Sequence, residues 1–374
     1  LHTADWHIGR RLHGFDLSEE QVNAFKQIER IAKDEHVDGI IIAGDLYDRS
    51  LPAESSVHLL NKMLKQLNLV DHYPLYAIAG NHDSATRLAT GSEWFEDTQL
   101  FIHTSVAQSI EPIETTDTQL FLLPYFEPFE VRQFLDDDSI QHVDQAFVAL
   151  VQQMKAHFNP AKRQVLVSHF FAAGSATTDS ETKLTVGGLA SVPLDVMQDF
   201  DYVALGHLHG KDAIHDSVVQ YSGSPIKFSL SEAQQNKGVM IVDTDDIAHR
   251  RFIPLKPLHD VVELTGTFDE LTAPSFYQSV DTSNYIGITI TNRDQIPNLM
   301  ARLRKIYPNI IELKRANGLD ANIAYHGEDG RKIRQSDPMT LLANFYQQIN
   351  DRSLTSDQTK WAKKTLKSVH QEEN

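Results

Sequence analysis

Residues 39–45 read Gly-Ile-Ile-Ile-Ala-Gly-Asp, a short apolar run that stops on a glycine and a carboxylate. A run of this length, rich in β-branched residues and closed by a turn residue, has the form of a strand buried on both faces. The pattern recurs along the chain. Residues 75–79 (LYAIA) run into Gly80-Asn81-His82, residues 164–168 (QVLVS) into His169, and residues 202–205 (YVAL) into Gly206-His207-Leu208-His209. Residues 1–4 before Asp5-Trp6-His7 make a fifth case, a strand so short that residues are expected to be missing upstream.

Helical patterns lie between these runs. Ser18 and Gln21 have the spacing of a capping box, followed by Val22, Phe25 and Ile28 on one face. After Pro52, residues Val57, Leu60, Leu64 and Leu67 share a face, which suits either the core or a dimer contact. Strands alternating with helices predict a layered α/β domain with its site just past the strand C-termini. Residues 104–126 look like a hairpin insertion, and residues 175–188 form a long polar loop. From residue 260 to about 316 the order is strand, helix, strand, helix, strand, as in a small α+β domain. A Gly/Asp-rich connector over 325–336 leads to two helices. The first covers about residues 338–349. The second starts near Thr355, with Gln358 completing a capping box and Trp361, Leu366 and Val369 on one stripe. The expected division is 1–255, 256–320 and 321–374.

The 374 residues include no cysteine, which excludes disulfides and thiolate metal sites and fits a reducing cytoplasm. No apolar run approaches the roughly 20 residues of a membrane span, and no leader pattern precedes Asp5. Any metal must be held by the 18 His and the 51 Asp and Glu. The net charge of −17 runs against the basic surface usual in nucleic-acid binders. Two divalent cations would add about +4 where a phosphate sits, and a partner can supply basic surface.

Singly the polar clusters are weak signals: Gly44-Asp45 is an ordinary turn, and a histidine ending a strand is commonly structural. Together, five ordered clusters offer only carboxylate, imidazole and amide ligands, a set suited to Mn²⁺, Fe²⁺, Mg²⁺ or Zn²⁺. Two adjacent metals need about seven protein ligands with one bridging carboxylate, and the clusters supply that number.

The order Asp-x-His, Gly-Asp, Gly-Asn-His-Asp, His, Gly-His-x-His resembles the calcineurin-like metallophosphoesterases. The resemblance implies a β-sandwich flanked by helices, with a small capping domain and C-terminal helices appended. It places Asp5, His7 and His209 on one metal and Asn81, His169 and His207 on the other, with Asp45 bridging. The reaction implied is in-line attack on a phosphoester by a hydroxide that the metals activate. His82 is then the phosphate-side general acid and Asp48 its orienting carboxylate; Asp48 also reads as a helix cap before Pro52. Arg49 is a phosphate contact or a surface ion pair, and Asp83 supports a loop or a ligand.

Finer motifs select a branch. Asp48-Arg49-Ser50 and Asn81-His82-Asp83 depart from the Asp-Arg-Gly and Asn-His-Glu of Ser/Thr protein phosphatases. Gly206-His207-Leu208-His209, with more than a hundred residues following, departs from small cyclic-nucleotide phosphodiesterases. Residues 3–10, 44–52 (GDLYDRSLP), 183–188 and 221–232 are instead similar to the SbcD nucleases of bacterial SbcC–SbcD complexes. That similarity implies a Mn²⁺-dependent exonuclease and hairpin endonuclease acting in DNA repair, recombination and replication. It also implies a homodimer bound through the C-terminal helices to an SbcC-type ATPase. Arg10, Arg11, Arg302, Arg304 and Lys305 are the candidate DNA-backbone contacts. A phosphodiesterase for nucleotides or small phosphate esters and a non-catalytic DNA-end-bridging protein are the alternatives.

Overall fold

The apolar runs pair into two sheets. In the computed structural model, which describes residues 1–177, 179, 191–292, 296–316, 337–350 and 353–372, the strands His2–Thr3, Ile40–Ile42, Leu75–Ile78 and Leu100–His103 run parallel in that order. Gly238–Ile241 and Arg251–Pro254 extend this sheet antiparallel beyond His2–Thr3. The second sheet has the order Val219–Tyr221, Tyr202–Gly206, Arg163–His169, Thr118–Leu123, Ile113–Glu114, and all neighbours are parallel except the last pair.

The sheets face each other across a dry layer that includes Ala4, Ala43, Ile78, Leu120, Leu122, Val167 and Ala204. Helices cover the outer faces. Ser18–Asp34 and Glu54–Lys65 bury Ile28, Ile31, Leu60 and Leu64 against the first sheet. Pro128–Leu135 and Val143–Lys155 bury Val131, Phe147 and Leu150 against the second. Strands covered on both faces must be apolar throughout, which is why they read as continuous hydrophobic runs.

Within the sandwich, three expectations need correction. Residues 104–126 do contain a hairpin, Ile113–Glu114 antiparallel to Thr118–Leu123, but it is no insertion: Thr118–Leu123 is an inner strand of the second sheet, buried at every position. It does not run into one of the expected ligands, so it lacks the mark that identified its neighbours. Ser18 is not a cap but the first helical residue, bonded through its amide and hydroxyl to Asp16, while Gln21 turns towards the Trp6–His7 loop. Val57, on the expected face of its helix, is exposed.

The chain divides into two units, Leu1–Thr289 with Ile296–Leu313, and Ile290–Gln295 with Lys314–Asn374. Strands Val261–Gly266, Tyr285–Ile290 and Ile310–Arg315 form the small sheet, with Tyr285–Ile290 central and short helices Phe268–Thr272 and Leu299–Leu303 between them, in the expected order. In the second unit, helices Pro338–Asn350 and Ser356–Glu372 pack together, and Gln358 donates to the Tyr346 hydroxyl at 3.1 Å. Thr355 and Gln358 exchange the bonds of a capping box. The expected stripe is corrected at Trp361, which is 72% exposed while Ala362 beside it is buried; Leu366 is half-buried, and the Val369 side chain lies outside the described residues. The stretches 183–188 and 325–336 lie outside the described residues, as does most of the polar loop over 175–188. Among the described residues no helix is long and apolar enough to cross a membrane.

Leu122 is fully buried between the sheets, whereas Leu51 is 66% exposed. Leu122→Ala is expected to cost about 3 kcal/mol and Leu51→Ala under about 0.5 kcal/mol in urea unfolding. Equal costs would mean that the inter-sheet layer is not a packed core.

Candidate metal centre

Every expected ligand sits at or just beyond the end of a strand in one sheet or the other. Asp5, His7, Asp45 and Asn81 follow strands of the first sheet, and His207 and His209 follow a strand of the second, whose neighbour ends on His169. The register pairs Gly206 with His169, so the second sheet's candidates end side by side, and His169 Nδ1 bonds the Ala43 carbonyl of the first sheet at 2.8 Å. Asp5, His7, Asp45 and His207 all have positive φ, a costly backbone region for side-chain-bearing residues. Close packing explains two of the glycines. A Cβ on Gly206 would lie 1.9 Å from the Ala43 carbonyl oxygen, and one on Gly80 would lie 2.2 Å from Asp45 Oδ1.

Asp45 stands at the centre. Its Oδ2 lies 3.5 Å from His7 Nε2 and 3.2 Å from His169 Nε2, while Oδ1 accepts from the His82 amide at 2.9 Å. On one side His7 Nε2 is 3.2 Å from His209 Nε2, and donor atoms of Asp5, His7 and His209 lie within 4.8 Å of one another. On the other, Asn81 Oδ1 is 3.1 Å from His169 Nε2 and 3.0 Å from His207 Nδ1. Asp5 Oδ1 accepts from the His207 amide at 2.9 Å, but among the described residues its buried Oδ2 has no hydrogen bond, and neither does His7 Nδ1.

The electrostatics describe a pocket short of positive charge. Burial pushes the Asp5 carboxyl up to about 6. Burial also holds His7 well below the usual imidazole range and lowers His207 to about 3, leaving both neutral, the form that ligates metals. His169 goes the other way: burial opposes its charge, yet the Asp45 and Asp5 carboxylates raise it to about 9. Donor atoms about 3 Å apart, a bare buried carboxylate oxygen and an exclusively oxygen and nitrogen set fit two divalent cations sharing Asp45.

Residues 1–211 match the family model described as calcineurin-like phosphoesterase. Residues 257–350 match that of the type 5 capsule protein repressor C-terminal domain. The chain is 35% identical, over 99% of its length and 98% of the relative's, to the protein of Staphylococcus epidermidis named as the D subunit of nuclease SbcCD. It belongs to the SbcD family of calcineurin-like phosphoesterases. A solved structure, that of TT1561 of Thermus thermophilus, is 12% identical with a TM-score of 0.39, covering 63% of this chain and 95% of that one.

Around this SbcD-family centre, His82 lies on the Asn81 loop, its ring 4.7 Å from that of His7. One of its ring nitrogens lies within 4.8 Å of donor atoms on His7 and Asp45. Its Nδ1 bonds Asp48 through the main-chain carbonyl, at 2.8 Å. The Asp48 carboxylate meets Arg10 Nη1 at 3.1 Å and Arg49 at 3.6 Å. Arg49 is 70% exposed at its side chain. Asp83 accepts from the amides of Gly80, Leu46 and Tyr47 at 2.9–3.0 Å, tying the Asn81 loop to the Asp45 loop. Arg11 is exposed and donates to the Gly14 carbonyl. Arg302, Arg304 and Lys305 are exposed beside the small sheet, with Arg302 lying over the Phe268 ring.

Sequence reading missed three residues. Gln21 donates to the carbonyls of Trp6 and His7 and accepts from the Gly9 amide, bracing the first ligand loop. Phe228 packs its ring 5.1 Å from His7 and 5.3 Å from His209. Glu232 is fully buried, with Oε1 3.5 Å from His209 Nδ1. The segment 221–232 drew notice by resemblance, but nothing local marks a carboxylate 23 residues from its histidine.

Asp83→Asn keeps the shape but turns an amide donor towards backbone amides. The expected result is a loss of about 2 kcal/mol or more in thermal or urea unfolding, together with weaker divalent-metal binding. Unchanged stability and binding would show that Asp83 does not join the loops.

Proposed function

We propose that this SbcD-family chain is the two-metal nuclease component of a DNA-processing complex, a double-strand exonuclease and hairpin or single-strand endonuclease. The supporting observation is the single Asp45 oxygen placed between His7 and His169, one from each ligand cluster, with His82 alongside. Asp5, His7 and His209 would hold one cation and Asn81, His169 and His207 the other. Mn²⁺ is the cation proposed. Bound there, such ions supply Lewis acidity, which lowers the pKa of water and offsets the charge that grows on phosphoryl oxygens.

The chain's own residues do the rest. The Asp48 carbonyl accepts from His82 Nδ1, which fixes the ring and leaves Nε2 to handle the proton for the leaving oxygen. Arg10, paired with Asp48 and stacked on Phe228, keeps a positive group beside this histidine. Residues 1–255 would carry the chemistry. Residues 256–320 would cap it and meet DNA through Arg302, Arg304 and Lys305, and 321–374 would dock an SbcC-type ATPase. Exposed Phe345 and Trp361 on the C-terminal helices support that docking. A homodimer acting in the cytoplasm, in DNA repair, recombination and replication, completes the reading. The charge of −17 favours a basic partner to hold the DNA.

The test is cleavage of a labelled hairpin and a blunt duplex with Mn²⁺, Mg²⁺ or EDTA, with and without the ATPase. His82→Ala is expected to lower cutting by about 10²-fold or more while leaving Mn²⁺ binding intact. Cutting that survives His82→Ala would remove its acid role. Hydrolysis of a small phosphodiester with no DNA cleavage would replace the substrate.

A further inference from the structure

Glu232 lies in the one-turn helix Leu230–Glu232, between His209 and the small sheet. Towards the site, its Oε1 faces His209 Nδ1 at 3.5 Å and accepts from Ser229 Oγ at 3.2 Å. Lys237 Nζ sits 2.5 Å from Glu232 Oε2 and also donates to the His209 carbonyl at 2.8 Å. Ring and backbone of one ligand are therefore held by one buried ion pair. A carboxylate at Nδ1 selects the tautomer whose Nε2 lone pair faces the metal cluster.

Towards the small sheet, the same turn is fastened twice. Leu230 lies directly on the central strand: a Cβ on Gly287 would fall 2.3 Å from Leu230 Cδ2. Lys227 Nζ bonds the Ala233 carbonyl at 2.6 Å and Asp260 Oδ1 at 2.8 Å, joining the end of the turn to the residue that precedes strand Val261–Gly266. That strand packs against the turn as well.

We propose that the Leu230–Glu232 turn is a positioning relay, through which the seating of the small sheet sets the orientation of His209. The proposal rests on His209 being a ligand and requires nothing of the DNA substrate.

Mn²⁺ titration of the full chain, followed by calorimetry and electron paramagnetic resonance, reads the two sites separately. Glu232→Ala is expected to weaken one site by about 10–100-fold and leave the other within about twofold, with Glu232→Gln recovering part of the loss. Gly287→Ala, which touches no ligand but displaces Leu230, is expected to weaken the same site, and Leu230→Ala likewise. Leu271→Ala, at a fully buried position beside the small sheet, is expected to lower the melting temperature without moving either constant. Should Glu232→Ala fail to fold, the Gly287 and Leu230 variants carry the test. Wild-type affinity at both sites in those variants overturns the relay, as does equal weakening of both sites. Site-selective loss in a chain that cuts no DNA supports the relay and removes only the nuclease reading; a wild-type chain that binds no Mn²⁺ overturns both.

Discussion

One carboxylate organises this molecule. Asp45 is buried at the junction of the two sheets, where one oxygen meets histidines from both and the other accepts the His82 amide. A buried anion is tolerable only when charges and donors converge on it. The loops of Asp5–His7, Asn81–His82, His169 and His207–His209 are the parts of the fold that answer this requirement. The sandwich beneath them brings these strand ends together and keeps water from the layer between.

That convergence strains the backbone. Asp5, His7, Asp45 and His207 occupy the left-handed region, at a cost of order 1–3 kcal/mol each. The surroundings compensate locally. Asp83 anchors three amides, Gln21 holds two carbonyls of the first loop, and Gly80 and Gly206 leave out the side chains that would collide. Packing and hydrogen bonds within the chain thus brace the loops that carry the candidate ligands.

Much of this was legible in the sequence because ligand and strand are adjacent there. Each marked strand is an apolar run that ends on its ligand, so one local pattern located both the sheet and the site. The sequence places Thr118–Leu123 in a hairpin but not in the main sheet, because it ends on no expected ligand. The contact of Asp48 with His82 runs through a main-chain carbonyl, which every residue possesses, so no choice of side chain could announce it. Glu232 and Phe228 reach His209 through tertiary packing, without periodicity or spacing to betray them. The apolar pattern of Ser356–Glu372 also does not announce that Ala362, and not Trp361, is buried.

The placement of the candidate ligands on two different sheets has a consequence for the protein's survival. Asp5, His7, Asp45 and Asn81 belong to one half of the sandwich and His169, His207 and His209 to the other, so ions held as proposed would act as rivets through the domain. A ligand that binds only the folded state adds about 2.7 kcal/mol at a hundredfold excess over its dissociation constant, a large share of an ordinary domain's stability. In a cell starved of divalent metal, the amount of this protein, and not merely its turnover, would fall as unfolded chains are removed by proteases.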